Sequence, residues 1–304
     1  MKTYNNLNLN SKHRRGVIAI GNFDGIHLGH QKVINDARRK AKKNRLPFGL
    51  MTFEPVPVMF FNKKIKNHRI NSLEQKKDQL KKLKLDFLIV IKFNKNFSSL
   101  SPGDFIKKII HKKTSCRFLY VSKNFRFGFK RKGNIETLKK YENQYNFKNV
   151  IVKPFKAKKK IISSTFIRKK IRKGHIEEVN KLLNRNWCIK GKVIKGQKRG
   201  RKIGFPTCNL RLNSYVIPRL GVYAVKVKTN NISNNGIANI GYRPTFNGQS
   251  LLLETNIFGI NKNLYNKVIT VGFKKFLRAE KKFKSFEYLK KQIKIDIKQA
   301  KNNV

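Results

Sequence analysis

The sequence predicts an α/β protein joined to a β one: a doubly wound parallel sheet over the first half, then a small antiparallel β-barrel ending in an α-helix. Three observations carry this. Residues 16–155 alternate short apolar runs with segments of helical spacing, the rhythm of strand–helix–strand units. From residue 187 to about 277 that rhythm stops, and β-like runs follow one another between Gly- and Asn-rich turns. Residues 285–300 then return to helical spacing, with Leu289, Ile293 and Ile297 on one face.

Strands of the first half are expected at 16–20, 48–53, 87–93, 117–121 and 150–154. Each is short and apolar throughout, as strands buried on both faces are. Helices are expected at 30–43, at 72–85 (where Leu73, Leu80 and Leu83 share a face), at 102–111 and at 134–145. Two short helices follow at 164–173 and 176–183. The β-like runs of the second half fall at 189–195, 221–228, 236–240, 251–258 and 267–273. A boundary at 184–186 gives domains 1–184 and 185–304.

A chain of 304 residues is long enough for two ordinary cores, and 23 Phe and 9 Tyr supply large packing groups. The net charge is +57, from 72 Lys+Arg against 15 Asp+Glu. Two readings of it stand. Such a balance suits a polyanionic partner, whose binding would weaken steeply with salt. However, the basic residues run evenly along the chain with abundant Asn and Ile, as coding bias acting on solvated positions would leave them. Cys116, Cys188 and Cys208 form neither a CxxC nor a paired framework, so a reducing, cytoplasmic compartment is expected. No apolar run reaches the ~18–20 residues of a membrane span, and no membrane partner is expected.

GNFDGIHLGH, residues 21–30, stands between the first expected strand and the first expected helix. A Gly-rich turn there gathers free backbone N–H groups at the positive end of a helix dipole, an anion site. A phosphate loop of the Walker kind would follow its glycines with GK[ST], which is absent. The polar groups here are His27 and His30, spaced to face one ligand. Imidazole N–H groups beside a phosphate suit nucleotidyl transfer, where charge grows on the α-phosphate oxygens as pyrophosphate leaves. A metal pair or simple helix caps are the competing readings of the two histidines. In ISSTFIR (162–168), two hydroxyls and an arginine near a helix start can clamp phosphate, or merely cap the helix. NFRFG (124–128) lies at another strand end; it lacks the Gly that an RNA-recognition motif places before its first aromatic. In GKVIKGQKRGRKIGFPTCNL (191–210), Gly191, Gly196, Gly200 and Gly204 lie among basic residues. They serve either a phosphate-approaching loop or plain barrel turns.

These motifs, with TFEPVP (52–57), GVYAV (221–225), NIGYRPTF (239–246) and LLLETNIF (251–258), occur in an order that resembles the bacterial bifunctional riboflavin kinase/FAD synthetase family along nearly the whole chain. His27-Leu28-Gly29-His30 resembles the HxGH signature of nucleotidylyltransferases. The resemblance implies a Rossmann-like nucleotidylyltransferase domain that joins FMN to AMP from ATP, releasing pyrophosphate and FAD. It further implies a barrel that phosphorylates riboflavin to FMN. By the same resemblance, Gly21, Asn22, Phe23, Asp24, Gly25, Gly29, Ser164 and Thr165 bind ATP in the first reaction. His27, His30 and Arg168 act on its phosphates, and Asn124, Phe125 and Arg126 lie near the flavin. In the barrel, Gly196, Gly200, Arg201, Gly204, Thr207 and Asn209 bind ATP, and Thr207 and Asn209 hold Mg²⁺.

The family's catalytic glutamate falls on Glu254. Scarcity points the same way: it is the one carboxylate between Glu178 and Glu280, so an acidic base in the barrel has no other local candidate along the chain. Departures from the family are few. Ser122 stands for a glycine, Asn124 for an aspartate, Cys208 for an alanine, and Asn266 for a frequent glycine. Two other readings remain beside the bifunctional one: a kinase whose synthetase is impaired by Ser122 and Asn124, and a charge-driven nucleic-acid binder.

Overall fold

Six parallel strands form the first sheet: β1 (Lys2–Tyr4), β2 (Val17–Ile20), β3 (Phe48–Glu54), β4 (Phe87–Lys92), β5 (Phe118–Ser122) and β6 (Lys148–Val152), in the order β1-β4-β3-β2-β5-β6. The computed structural model describes residues 1–157, 160–196, 199–229, 233–245, 248–260 and 262–303. Alternate side chains of the strands feed two cores, one on each face. Ile18, Ile20, Met51, Phe87 and Ile89 lie on one side; Val17, Ala19, Phe48, Leu50 and Leu88 lie on the other. That explains the unbroken apolar runs of β2 to β4, whereas β6, expected to be buried at 150–154, is an edge strand with no buried residue.

The helices α1 (Leu28–Lys43), α2 (Pro57–Phe61), α3 (Leu73–Lys82), α4 (Lys95–Ser98), α5 (Pro102–Asp104) and α6 (Ile135–Lys140) connect these strands. α5 continues as a π-helix over Phe105–Thr114. α1 buries Ile34, Ala37 and Ala41, which recur at helical spacing. The chain runs from β2 to β3 and β4 on one side, then returns to β5 on the other. The switch in direction therefore falls between β2 and β5, where open α/β sheets leave a ligand crevice.

A two-stranded ribbon, β7 (Lys156–Ala157) with β8 (Lys160–Ile161), follows β6. Two helices come next, α7 (Ser164–Arg172) and α8 (Ile176–Leu183). The second sheet is antiparallel: β9 (Cys188–Lys192), β10 (Cys208–Arg211), β11 (Gly221–Lys228), β12 (Ser233–Thr245), β13 (Gly248–Ile257) and β14 (Val268–Arg278), in the order β10-β13-β12-β11-β14-β9. A bridge between Ile194, just past β9, and Asn209 of β10 brings the first and last strands together. The barrel is thereby nearly closed, which removes most of its exposed edge. β10 is a strand the periodicity did not reveal; its four residues are too few to show alternation. A single turn, α9 (Arg199–Lys202), precedes it. α10 (Phe286–Lys301) ends the fold, started by the Ser285 hydroxyl, which accepts from the Tyr288 N–H.

The chain falls into two compact units. Met1–Ile65 and Leu73–Ser163 make the first; Lys66–Ser72 and Ser164–Val304 make the second. The boundary expected at 184–186 lies about twenty residues further on. The physical reason for the difference is α8. It buries Ile176, Val179, Leu182 and Leu183 and packs on β14. Its Asn180 bonds the Phe273 carbonyl and the Trp187 N–H. Residues 66–72 join the same unit because His68 and Arg69 donate to the Ser214 carbonyl and Trp187 Nε1–H donates to the Ile70 carbonyl.

Candidate functional site

In the first unit, β2 ends where the backbone turns sharply. Phe23 has φ +45°, Gly25 +85° and Ile26 +40°. For the two non-glycine residues that conformation costs of order 1–3 kcal/mol each. The surroundings hold it. Phe23 and Ile26 are buried, the Asn22 carbonyl accepts from Lys76 Nζ (2.7 Å) and the Thr52 hydroxyl (3.1 Å), and the Ile26 carbonyl accepts from the Gln31 amide (2.9 Å). Lys76 is itself buried.

His27 is the N-cap of α1, its Nδ1 accepting from the His30 N–H at 3.4 Å. The capping reading of this histidine is thus realised. With Nδ1 as acceptor, the neutral ring carries its proton on Nε2, where it is a donor. The His27 and His30 rings stack with centroids 3.7 Å apart. No acidic residue occupies the first turn of α1, which leaves the positive helix end without a carboxylate from its own first turn. Gly21, Asn22 and Asp24 belong to the turn before α1, with Asp24 buried and Asn22 exposed, and Gly29 is the second residue of α1.

NFRFG lies past the end of β5, next to β2 in the sheet. Phe125 stacks on Phe127 at 5.5 Å, and Phe127 is pinned by reciprocal backbone bonds with Gly133. Asn124 and Arg126 are exposed beside them. Ser164, Thr165 and Arg168 lie at the start of α7, in the second unit. Arg168 is buried and donates to the Thr165 hydroxyl at 3.2 Å.

The barrel and α10 line a cavity of about 1420 Å³. Single small-molecule sites usually measure ~300–1,000 Å³, so this one has room for two substrates. Gly196, Gly200, Thr207, Asn209 and Glu254 all line it; Arg201 and Gly204 do not. Gly204, at φ +85°, serves the turn instead. Register explains the grouping. Asn209 of β10 pairs with Glu254 of β13, and Glu254 pairs with Asn239 of β12, so the three stand in a row across neighbouring strands. Asn209 Oδ1 and Asn239 Oδ1 are buried without a hydrogen-bond partner among the described residues. A Cβ on Gly196 would collide with the Asn209 amide, so the loop approaches this side chain closely only as glycine. Gln197, Lys198 and Phe246 of the quoted motifs lie outside the described residues.

Counting acids along the chain left Glu254 alone, and the structure corrects that count in space. Glu280 and Asp296 line the same cavity. Asp296 is engaged by Arg278 at 2.6 Å. Glu280 and Glu254 share Arg243, at 3.1 and 2.7 Å. Burial alone would lower the Arg243 pKa, but its bonds to the two carboxylates outweigh it and hold the guanidinium charged. Arg243 lies inside the NIGYRPTF motif, so its place was visible in the sequence and its partners were not. Leu289 and Ile293 of α10 form an apolar wall of the cavity, while Ile297 packs on the barrel. The helical stripe read from the sequence thus divides between core and site.

The FAD synthetase family matches residues 9–166, and the riboflavin kinase family matches residues 183–304. A bifunctional riboflavin kinase/FMN adenylyltransferase of Buchnera aphidicola subsp. Schizaphis graminum is 42% identical over 298 residues, 97% of this chain and 96% of that protein. One from Bacillus subtilis is 39% identical, over 94% of this chain and 92% of that protein. A crystal structure from Streptococcus pneumoniae, described as a macrolide-efflux protein, is similar with TM-score 0.87 and 31% identity, covering 99% of both chains. Among the described residues no helix is long and apolar enough to cross a membrane.

Proposed function

The chain belongs to the bifunctional riboflavin kinase/FMN adenylyltransferase family, and from that premise we propose which of its residues run each reaction. It phosphorylates riboflavin to FMN with ATP, and it adenylylates FMN to FAD with ATP. We assign the kinase to 185–304 and the synthetase to 1–184.

In the kinase, Glu254 takes the proton of riboflavin's primary hydroxyl as that oxygen attacks the γ-phosphorus and ADP leaves. General-base help of this kind contributes ~10²–10⁴ in rate. The observation that carries the assignment is the row Asn209–Glu254–Asn239 on one wall of the barrel cavity. It sets a carboxylate beside two amide oxygens. Thr207 and Asn209 would hold Mg²⁺; the buried, unpartnered Asn209 Oδ1 is a hard oxygen donor that fits it. No group of three His, Cys, Asp or Glu that could hold a metal occurs among the described residues, so phosphates and water would supply most of its ligands. When bound, the ion neutralises phosphate charge. The wall of Leu289 and Ile293 suits the flat flavin ring.

In the synthetase, a phosphate oxygen of FMN attacks the α-phosphorus of ATP and pyrophosphate leaves. The turn at 21–30 and the His27 and His30 imidazoles stabilise the charge on the α-phosphate oxygens. We assign Ser164, Thr165 and Arg168 to the same nucleotide by the chemistry of their motif. Asn124, Phe125 and Arg126 go to the flavin, with Phe125 as a stacking surface. We take the working compartment to be cytoplasmic and the excess charge to serve no specific nucleic acid.

Two variants test the division. Glu254→Gln should lower riboflavin phosphorylation by about 10²-fold or more and leave FAD formation from supplied FMN within about twofold. His30→Ala should do the reverse. Equal loss of both activities in either variant contradicts the assignment.

A further inference from the structure

Arg243 of β12 reaches two carboxylates on two different parts of the barrel. Its Nε and Nη2 both donate to Glu254 Oε2, at 2.9 and 2.7 Å. Its Nη1 donates to Glu280 Oε1 at 3.1 Å and to the Tyr242 carbonyl at 3.0 Å. Glu280 follows β14 and is itself held, since Asn239 Nδ2 donates to the same oxygen at 3.0 Å. Gly241 makes room for it: a Cβ there would collide with the Glu280 carboxylate. Both bonds to Glu254 fall on Oε2, and Oε1 makes none among the described residues. A guanidinium held by one carboxylate and by the carbonyl of its own neighbour Tyr242 keeps freedom to swing on its flexible stem. Anchored at two carboxylates, its plane is fixed, and with it Glu254 Oε2, the one oxygen that two of its N–H groups grip.

We propose that Glu280 is a positioning residue for riboflavin phosphorylation: through Arg243, it holds the Glu254 carboxylate with Oε1 presented to the cavity. This rests on the reading of Glu254 as the base. Glu280 does not take the proton. It removes a rotational freedom that the base would otherwise have, and small misplacements of a catalytic group cost up to about 10² in rate. The asparagine of the row joins in, since Asn239 binds Glu280 with its amide N–H, while its Oδ1 has no hydrogen-bond partner among the described residues.

The test is steady-state kinetics of riboflavin phosphorylation on the full chain, with FAD formation from supplied FMN as the control for folding. Glu280→Ala should lower kcat by about 10- to 100-fold while KM for riboflavin and ATP stays within about twofold. Glu280→Gln, which keeps an acceptor for Arg243, should recover most of that loss. Gly241→Ala, which keeps every carboxylate but displaces Glu280, should reproduce it. Arg243→Met combined with Glu280→Ala should be no slower than Arg243→Met alone, because the two act in series. An unchanged or raised kcat in Glu280→Ala, a loss confined to KM, or additive effects in the double variant would each overturn the proposal. Glu254→Gln is assayed alongside. If it keeps full phosphorylation, the base itself is misassigned and the proposal goes with it. If it is inactive while Glu280→Ala is normal, only the positioning role fails.

Discussion

Asn209 shows how one side chain depends on a residue that has none. Its amide sits against Gly196, and its buried Oδ1 faces no protein donor among the described residues. Gly196→Ala forces the amide away. Losing a hydrogen bond from that amide N–H to a charged phosphate costs about 1.5–3 kcal/mol, so KM for ATP in the kinase reaction should rise by about tenfold or more. The synthetase should keep its own KM, which separate assays of the two reactions would check. At this scale the sequence was partly legible. Glu254 stood out because acids are rare, and Gly196 because glycines clustered. Glu280 did not stand out, because distance along a chain says nothing about distance across a barrel. Asn266 stands where the family often has glycine; its φ of +64° is the left-handed conformation that asparagine tolerates.

Among elements, the turn between β2 and α1 is the clearest case of local structure maintained from a distance. Its positive φ values at Phe23 and Ile26 persist because α3 and β3 reach in, through Lys76 and Thr52, to hold the Asn22 carbonyl. Lys76→Met keeps the length and apolar stem but removes the donor. The change should lower stability by about 1–3 kcal/mol. It should lower synthetase kcat/KM by about tenfold and spare the kinase, read by thermal unfolding and the two assays. An unaltered synthetase would show that the turn keeps its shape unaided. Strands buried on both faces were plain in the sequence, as were α1 and α10. The elements that escaped were short or non-local. β1 is three residues long, β10 four, and residues 66–72 pair with Ser214 and Tyr215, far along the chain. Part of the expected helix at 102–111 is a π-helix, a form that shares the apolar spacing of an α-helix too closely to be told apart by it.

For the whole molecule, the change of rhythm near residue 187 announced two folds, and the sheet orders bear out both. Where one unit ends was less visible. α7 and α8 have ordinary amphipathic patterns, which record that a helix has an apolar face and not which sheet covers it. The charge of +57 is likewise a property of the whole chain and identified neither site. What divides the molecule chemically is the claim that ATP is used in two independent places. The most direct test mixes two damaged proteins, His30→Ala and Glu254→Gln, with riboflavin, ATP and Mg²⁺, and separates the flavins by chromatography. The account predicts that His30→Ala alone stops at FMN, that Glu254→Gln alone leaves riboflavin unchanged, and that the mixture makes FAD. A mixture that fails to make FAD, although each protein retains its one reaction on supplied substrate, would contradict it.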